Sequence, residues 1–569
     1  MLGEQRFRRG RSHRLAKRLA GLAVGDGQWR ERSPSRPVQS RSDGSVRFSR
    51  FCMANEREAD HYWSAVIMRG WECLTRHSPG QTNLLRKQQV FSIIRPFNEL
   101  ERPIVPDPDE NQSIHKLTQT GRYIIIIAAF LGWFFGGMHL GITSLSMGSA
   151  AKDLLRGTGQ FEVTVAERSA AQQQFEESGK GDVQGLAQAK AVQRLETASS
   201  KWYGYYICAL LFGGAAGGLV FGRIGDRFGR VKGMTAAICC YSGVSFVAYF
   251  ARTPEQLLVA RFVVCMGVGG MWPNGVALMS EAWAGASRPL LAGVIGTAAN
   301  IGIFMVGVAG KLREVTVDDW RWVMLMGAAP IVLGLLVPLI VPESPRWLAQ
   351  RARGSSPGTP EKTRTKPEAS TGEIFRPGMF AVTLVGILLA TVPLFGSWGS
   401  SNWAVKWAED AGSDGLKAQV IMARSLPGIF GSFMGGWIAS LVGRRRSYFF
   451  NSLICLGSAQ CMFWFSSPTE PTVFLVWTAV LGFFSGIFFG WLPLFLPELF
   501  VTRVRSVGAG VCFNFGRIIT AITVFVTAGL IAYFDNDFRQ IGRITSLIYL
   551  FGAVGILLMP KGVEGKIKD

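Results

Sequence analysis

Apolar residues in this 569-residue chain come in blocks of about twenty, each long enough to cross a bilayer as a helix. Twelve such blocks can be marked: Tyr123–Ser144, Trp202–Phe221, Gly233–Phe250, Leu257–Met279, Leu290–Leu312, Trp322–Val341, Phe380–Trp398, Gln419–Ser440, Ser447–Phe465, Val473–Leu496, Val507–Ile531 and Ile544–Met559. None alternates apolar and polar residues as a barrel strand would. Backbone groups in lipid must be satisfied within the segment, so the pattern predicts helices. The polar stretches divide the rest. Residues 1–118 hold no block, 147–201 form an Ala-, Gln- and Glu-rich insert that suggests a surface helical hairpin, 342–376 form a basic Pro/Gly/Ser-rich linker, and 561–569 form a short tail.

The two sets of six blocks repeat one another. Gly214, Gly217, Gly222, Gly229 and Arg230 return 214 positions later as Gly428, Gly431, Gly436, Gly443 and Arg444. Glu281, Arg288 and Gly293 return 217 positions later as Glu498, Arg505 and Gly510. The predicted fold is therefore an all-α membrane protein with twelve transmembrane helices in two pseudo-symmetric six-helix bundles, residues 119–341 and 377–560, the architecture of a rocking transporter. Two runs, Gly214-x3-Gly218-x3-Gly222 and Gly482-x3-Gly486-x3-Gly490, place glycines on one helix face where backbones can approach closely.

The net charge of +21 first suggests a nucleic-acid binder, but its distribution argues otherwise. Residues 1–50 carry thirteen Lys/Arg against four Asp/Glu. Their composition fits a transit peptide, a disordered basic arm, or a later translation start at Met53 or Met68. Much of the remaining excess sits in alternate loops, with Arg223, Arg227, Arg230, Lys232, Arg346, Arg351, Arg353, Arg444 to Arg446, Arg503 and Arg505. The other loops are acidic or mixed (Glu314, Asp318, Asp319, Glu409, Asp410, Asp414, Asp535, Asp537). The positive-inside rule then puts both termini in the cytoplasm, which an even number of spans also requires. The nine cysteines lie mostly inside spans without metal-ligand or disulfide spacing. No cofactor, metal or nucleotide-binding loop is expected, so an ATP-driven pump and an enzyme are both disfavoured.

The turn Gly222-Arg-Ile-Gly-Asp-Arg-Phe-Gly-Arg-Val-Lys resembles the loop 2–3 signature of the major facilitator superfamily. Pro342-Glu-Ser-Pro-Arg-Trp-Leu resembles its sugar-porter signature, and Arg261-Phe-Val-Val-Cys-Met-Gly-Val-Gly-Gly its Arg/Gly-rich fourth helix. Pro497-Glu-Leu-Phe-Val-Thr-Arg-Val-Arg with Asn514-Phe-Gly-Arg517 resembles the metabolite:proton symporter branch, which includes aromatic-acid and sialic-acid carriers. The resemblance covers residues 120–560 and implies alternating access of a small solute, expected to be proton-linked, in the plasma or inner membrane. A monomer suffices for that mechanism.

Gating falls to the turns. Asp226 can sit at the positive end of a neighbouring helix and pair with Arg230, with Gly222, Arg227 and Gly229 shaping the turn; Ser440 replaces the acid in the second half, where Gly443 and Arg444 remain. Glu281 with Arg288, and Glu498 with Arg505, are the further expected charge pairs.

No Asp or Glu lies well inside any block, whereas Arg261, Arg424, Arg517 and His139 do. An embedded arginine stays protonated and faces a cavity or an anion, so a substrate carboxylate is the natural partner, with Arg517 the foremost candidate. Arg261 and Arg424 lie nearer the block ends, where snorkelling is the plain alternative. The repeat offset puts Asn300 opposite Arg517, with Asn514 one turn away and Trp398 offering a ring for stacking. The symporter branch commonly carries an aspartate pair in its first span. Here Gly132-Trp-Phe-Phe-Gly136-Gly-Met-His139 has His139 at the second position, either a proton carrier or a packing residue. An organic acid is thus favoured as substrate, with a sugar facilitator or sugar:proton symporter, and a non-transporting nutrient sensor, as alternatives.

Overall fold

The computed structural model describes residues 117–178, 182–283, 288–354, 371–411, 415–501, 504–531, 533–534 and 536–559. The N-terminal arm up to residue 116, the linker centre at 355–370 and the tail lie outside them, as do Arg503, Asp414 and Asp535. The described residues form helices and no strand. In the first half these are α1 (Gln119–Arg156), α2 (Val165–Ser178), α3 (Val183–Phe228), α4 (Arg230–Ala248), α5 (Pro254–Ala282), α6 (Arg288–Leu312), α7 (Trp322–Ala328) and α8 (Ile331–Ile340). The linker begins as α9 (Pro345–Gly354). The second half holds α10 (Pro377–Phe395), α11 (Trp403–Asp410), α12 (Leu416–Val442), α13 (Arg444–Phe465), α14 (Pro471–Glu498), α15 (Arg505–Leu530), α16 (Phe538–Thr545) and α17 (Ile548–Leu557).

Among the described residues, eleven helical segments are long and apolar enough to span a membrane; the pairs α7/α8, α10/α11 and α16/α17 each make one. The twelfth predicted span is α13, also a helix of 22 residues but more polar. Two of its polar side chains bond to neighbouring helices: Asn451 Nδ2 donates to Phe484 O at 3.0 Å and Gln460 Nε2 to Ser546 Oγ at 2.8 Å. Helix starts follow local chemistry. Thr118 Oγ1 accepts from Gly121 N at the head of α1, and Thr253 caps α5 just before Pro254.

The insert differs from its predicted limits. The first span continues as α1 to Arg156, and α3 has already begun at Val183, so most of 147–201 belongs to two long helices with α2 between them. Arg194 fastens this region by donating to Gln160 O and Glu162 O and pairing with Glu167 at 3.1 Å.

The glycine faces are also reassigned in part. In the second half the expected run holds: a Cβ on Gly482, Gly486 or Gly490 would run into the backbone carbonyls of Arg424, Gly428 and Ser432, so α12 and α14 touch backbone to backbone. In the first half the close contact belongs to the neighbouring register. Gly213 and Gly217 abut Phe262 O and Met266 O of α5, whereas Gly222 has no atom within 4 Å and Gly214 faces α15. The halves meet along α3 against α15 and α6 against α12.

Candidate functional site

Between the halves lies a cavity of about 150 Å³. Trp133, Trp272, Asn300 and Gly214 line it from the first half, and Ser397, Trp398, Arg424, Ser485, Phe489 and Arg517 from the second. Its aromatic wall depends on a break in the seventh span. Pro393 cannot donate within α10, which frees Leu389 O to accept from Tyr448 OH at 2.8 Å. The chain then passes through a π-helical turn, Gly396–Ser401, which presents Ser397 and Trp398 to the cavity before α11 begins. The sequence placed Trp398 at a span end; this turn carries it to the middle instead.

Arg517 donates from Nη1 to Gly214 O across the interface at 3.1 Å and to Asn514 Oδ1 at 3.3 Å, with its guanidinium 4.8 Å from the Phe513 ring centre. Arg424 reaches the same cavity, and its Nη1 is buried without a hydrogen-bond partner among the described residues. Asn300 donates to Ser432 Oγ at 2.8 Å, joining α6 to α12 on the cavity wall rather than facing Arg517. Asn514 lines the adjoining groove.

Two predicted contacts fall elsewhere. Arg261 is fully buried inside the first half, donating to His139 O at 3.0 Å and Thr143 Oγ1 at 2.6 Å. His139 is fully buried too, its ring 5.0 Å from that of Tyr241, and neither residue lines the cavity. Both sit on helix faces that turn into the bundle, a direction hydropathy alone does not reveal.

A larger groove, about 2510 Å³, runs along α3 and α15 to the end of the molecule that bears the Gly222–Lys232 turn. It shares Gly269, Trp272, Pro493, Phe513 and Arg517 with the cavity, so Arg517 stands at the junction. Arg223, Asp226, Arg227, Arg230 and Arg346 line its turn end.

The turn itself is rearranged relative to the sequence expectation. Gly229 has φ +116°, and a Cβ there would strike the Glu343 carboxylate. Glu343, from the Pro342–Leu348 motif, accepts from Val231 N at 3.2 Å, so it rather than Asp226 occupies the positive end of α4. Asp226 does pair with Arg230, at 2.5 Å, but its side chain is 64% exposed, so the pair contributes little. Glu281 lies 4.0 Å from Arg230 and accepts from Ser344 Oγ. In the second half Arg444 grips Glu498 with two bonds, at 2.9 and 3.0 Å. Among the described residues, the charge pair common to both halves is turn arginine to Glu281 or Glu498. The side chain of Arg288 lies outside the described residues. Gly443 repeats the left-handed turn with φ +92°. Replacing Glu343 with glutamine is expected to cost roughly 1 kcal/mol in thermal stability through loss of the charged cap, while Asp226→Asn should change it by less. Equal melting shifts for the two variants would refute the assignment of Glu343.

The charge pairs described at the turn end each stay within one half. The opposite end is bridged. Ser149 Oγ of α1 donates to Glu409 Oε1 at 2.7 Å, Lys417 Nζ donates to Glu409 Oε1 at 3.0 Å and to Ser149 Oγ at 2.8 Å, and Lys152 Nζ reaches Asp410 at 3.0 Å. Lys406 lies against both acids, at 3.3 and 2.5 Å. Below this layer Ser144 donates to Asn402 Oδ1, and Asn402 Nδ2 to Tyr203 OH, both at 2.8 Å. Gly148 leaves room for the Glu409 carboxylate. Sequence reading listed Glu409 and Asp410 as loop acids and missed this junction. The available signal was a Lys-Trp-Ala-Glu-Asp run answered by Lys417. Polar contacts between halves thus close one end above the cavity, and the groove beside it runs along the α3–α15 seam from Trp202 and Tyr205 to the turn end, a layout suited to alternating access.

Comparison with known proteins agrees. Residues 195–524 match the Major Facilitator Superfamily. The cis,cis-muconate transport protein of Acinetobacter baylyi is 26% identical over 357 residues, covering 61% of this chain and 82% of its own. The sialic acid transporter NanX of Escherichia coli is 23% identical over 355 residues, 62% and 82% of the two chains. The fold is shared with the xylose transporter XylE of E. coli in an inward open conformation, with a TM-score of 0.54 at 17% identity over 79% of this chain and 98% of that one. A duplicated helical scaffold, a cavity at the seam and this match together establish that the chain belongs to the Major Facilitator Superfamily, as an integral membrane secondary transporter of small organic solutes.

Proposed function

We propose that the solute is a small organic acid, carried by alternating access with the turn end and both termini facing the cytoplasm of a cell or inner membrane. One observation carries this: Arg517 and Arg424 line the central cavity, and among the described residues no carboxylate does. A guanidinium in a low-dielectric site needs a counter-charge, and here the solute supplies it. Two of the similar proteins are named for carboxylic acids, muconate and sialic acid, which supports the same chemistry. The Pro342–Leu348 motif does not pull toward sugar. Glu343 caps α4, Ser344 bonds Glu281 and Trp347 Nε1 bonds Asp226 O at 2.9 Å, so its work is at the turn. Proton symport needs a titrating group on the path. The acids lining the groove are Asp226 and Glu281, at its turn end, and His139 stands off the cavity wall. A single polypeptide contains the whole pathway, so a monomer is sufficient.

The test is uptake of labelled sugars, aromatic acids, sialic acid and small carboxylates into vesicles, with and without a proton gradient, for the protein and for Arg517→Ala. An acid taken up by the unaltered chain and lost at least tenfold in the variant supports the proposal; gradient stimulation identifies proton coupling. Sugar uptake that survives the variant overturns it. Binding without uptake of any solute would make the chain a sensor.

A further inference from the structure

Resting on the organic-acid reading, we propose that the substrate is a dianion, specifically a dicarboxylate whose two charges are met by Arg424 and Arg517. The count of charge in the cavity leads there. Both guanidiniums line one cavity of about 150 Å³, both belong to the second half, and among the described residues neither is in an ion pair. Arg517 bonds only neutral oxygens, Gly214 O and Asn514 Oδ1, which orient the group without cancelling its charge. Arg424 keeps a buried Nη1 with no acceptor among the described residues. Two like charges in one cavity between the halves repel, and one carboxylate would leave the occupied site with a net positive charge. A solute with two carboxylates brings the closed site to neutrality and gives each fork an acceptor of matching geometry. Trp133, Trp272 and Trp398 offer its carbon skeleton an apolar surface, the first two with ring centres 4.7 Å apart. The basic turn end of the groove, with Arg223, Arg227 and Arg346, suits the same cargo on its way out.

The experiment is competition in reconstituted vesicles, using labelled dicarboxylic acid against unlabelled dicarboxylic, monocarboxylic and diamide compounds of equal carbon count. In the unaltered protein the monocarboxylate should compete at least about tenfold more weakly than the dicarboxylate, and the diamide more weakly still. In Arg424→Gln the dicarboxylate should lose about tenfold or more, and the monocarboxylate should rise toward parity with it, because the altered site balances one charge. Equal competition by mono- and dicarboxylates in the unaltered protein overturns the dianion while leaving the organic-acid reading intact. Uptake of neutral sugar unaffected by either acid overturns the organic-acid reading itself. The unaltered protein alone decides between these outcomes, so the proposal remains testable if Arg424→Gln fails to fold.

Discussion

Glu409→Gln is expected to open the end of the transporter that the structure shows closed. Glu409 receives Ser149 Oγ and Lys417 Nζ at 2.7 and 3.0 Å, with Lys406 at 3.3 Å. Both lysines are nearly inaccessible, at 1% and 8% exposure. The glutamine removes one negative charge and leaves Lys417 buried beside an amide. Loss of one partner from a buried ion pair costs about 3–5 kcal/mol. Separation of α1 from α11 and α12 relieves that cost by hydrating the lysines, so the penalty falls on the closed state alone. A bias of about 3 kcal/mol is a shift of roughly a hundredfold in the balance between states. A cysteine at Ser144, beneath the junction, should change from protected to reactive toward a membrane-impermeant maleimide in the Glu409→Gln background. Continued protection would show that the halves are held together elsewhere. Ser144→Cys alone removes only the bond to Asn402 and serves as the reference.

The second large effect concerns the spine of the second half. Gly486→Leu places a side chain where Gly428 O now sits, and Gly482 and Gly490 fix the same spacing on either side. The obstacle is backbone on both helices, so no rotamer change makes room. Forced overpacking costs about 1–3 kcal/mol where side chains can yield, and this site belongs at or above the upper end. Detergent-purified Gly486→Leu should melt well below the unaltered protein or fail to elute as a single species. Arg424 lies on the facing helix one turn from Gly428, so any surviving protein should also have lost acid uptake. Gly457→Leu is the control, because no atom lies within 4 Å of its would-be Cβ. Equal melting of the two variants would refute close packing of α12 on α14.

The scaffold was written plainly in the order of apolar blocks. Hydropathy marks a helix that must satisfy its own backbone, and the repeats at offsets of 214 and 217 residues mark two halves of one design. Arg517 was legible for a related reason: a charge in the middle of an apolar block has few plain explanations. Arg424 was harder, because it is only eight residues from the start of α12 and resembles a snorkelling end residue until the cavity is seen. The closed junction could not be read linearly. Ser149 and Glu409 are 260 positions apart, and each alone is an ordinary end-of-helix residue. Helix rotation was equally hidden. His139 and Arg261, each open to a bland reading in the sequence, turn into the first bundle, and a Cβ on Gly213 or Gly217, rather than on Gly214 or Gly218, would strike the backbone of α5. Glu343 took the role expected of Asp226 because a distant motif folds back onto the turn.

The length of α3 carries a consequence of its own. It runs 46 residues without a break, about 69 Å at the rise of an α-helix, from the insert through the first bundle to the Gly222–Lys232 turn. A rod of that kind behaves as a pointer: tilting the first bundle by a few degrees swings its free end near Val183 by several ångströms in the opposite sense to the turn. Side contacts set where the pointer rests, through Thr197 to Asn536 at 2.8 Å and Lys152 to Glu196 at 4.0 Å. A fluorophore or a binding protein attached to α2 would therefore report, or arrest, each half-cycle of transport from outside the bilayer.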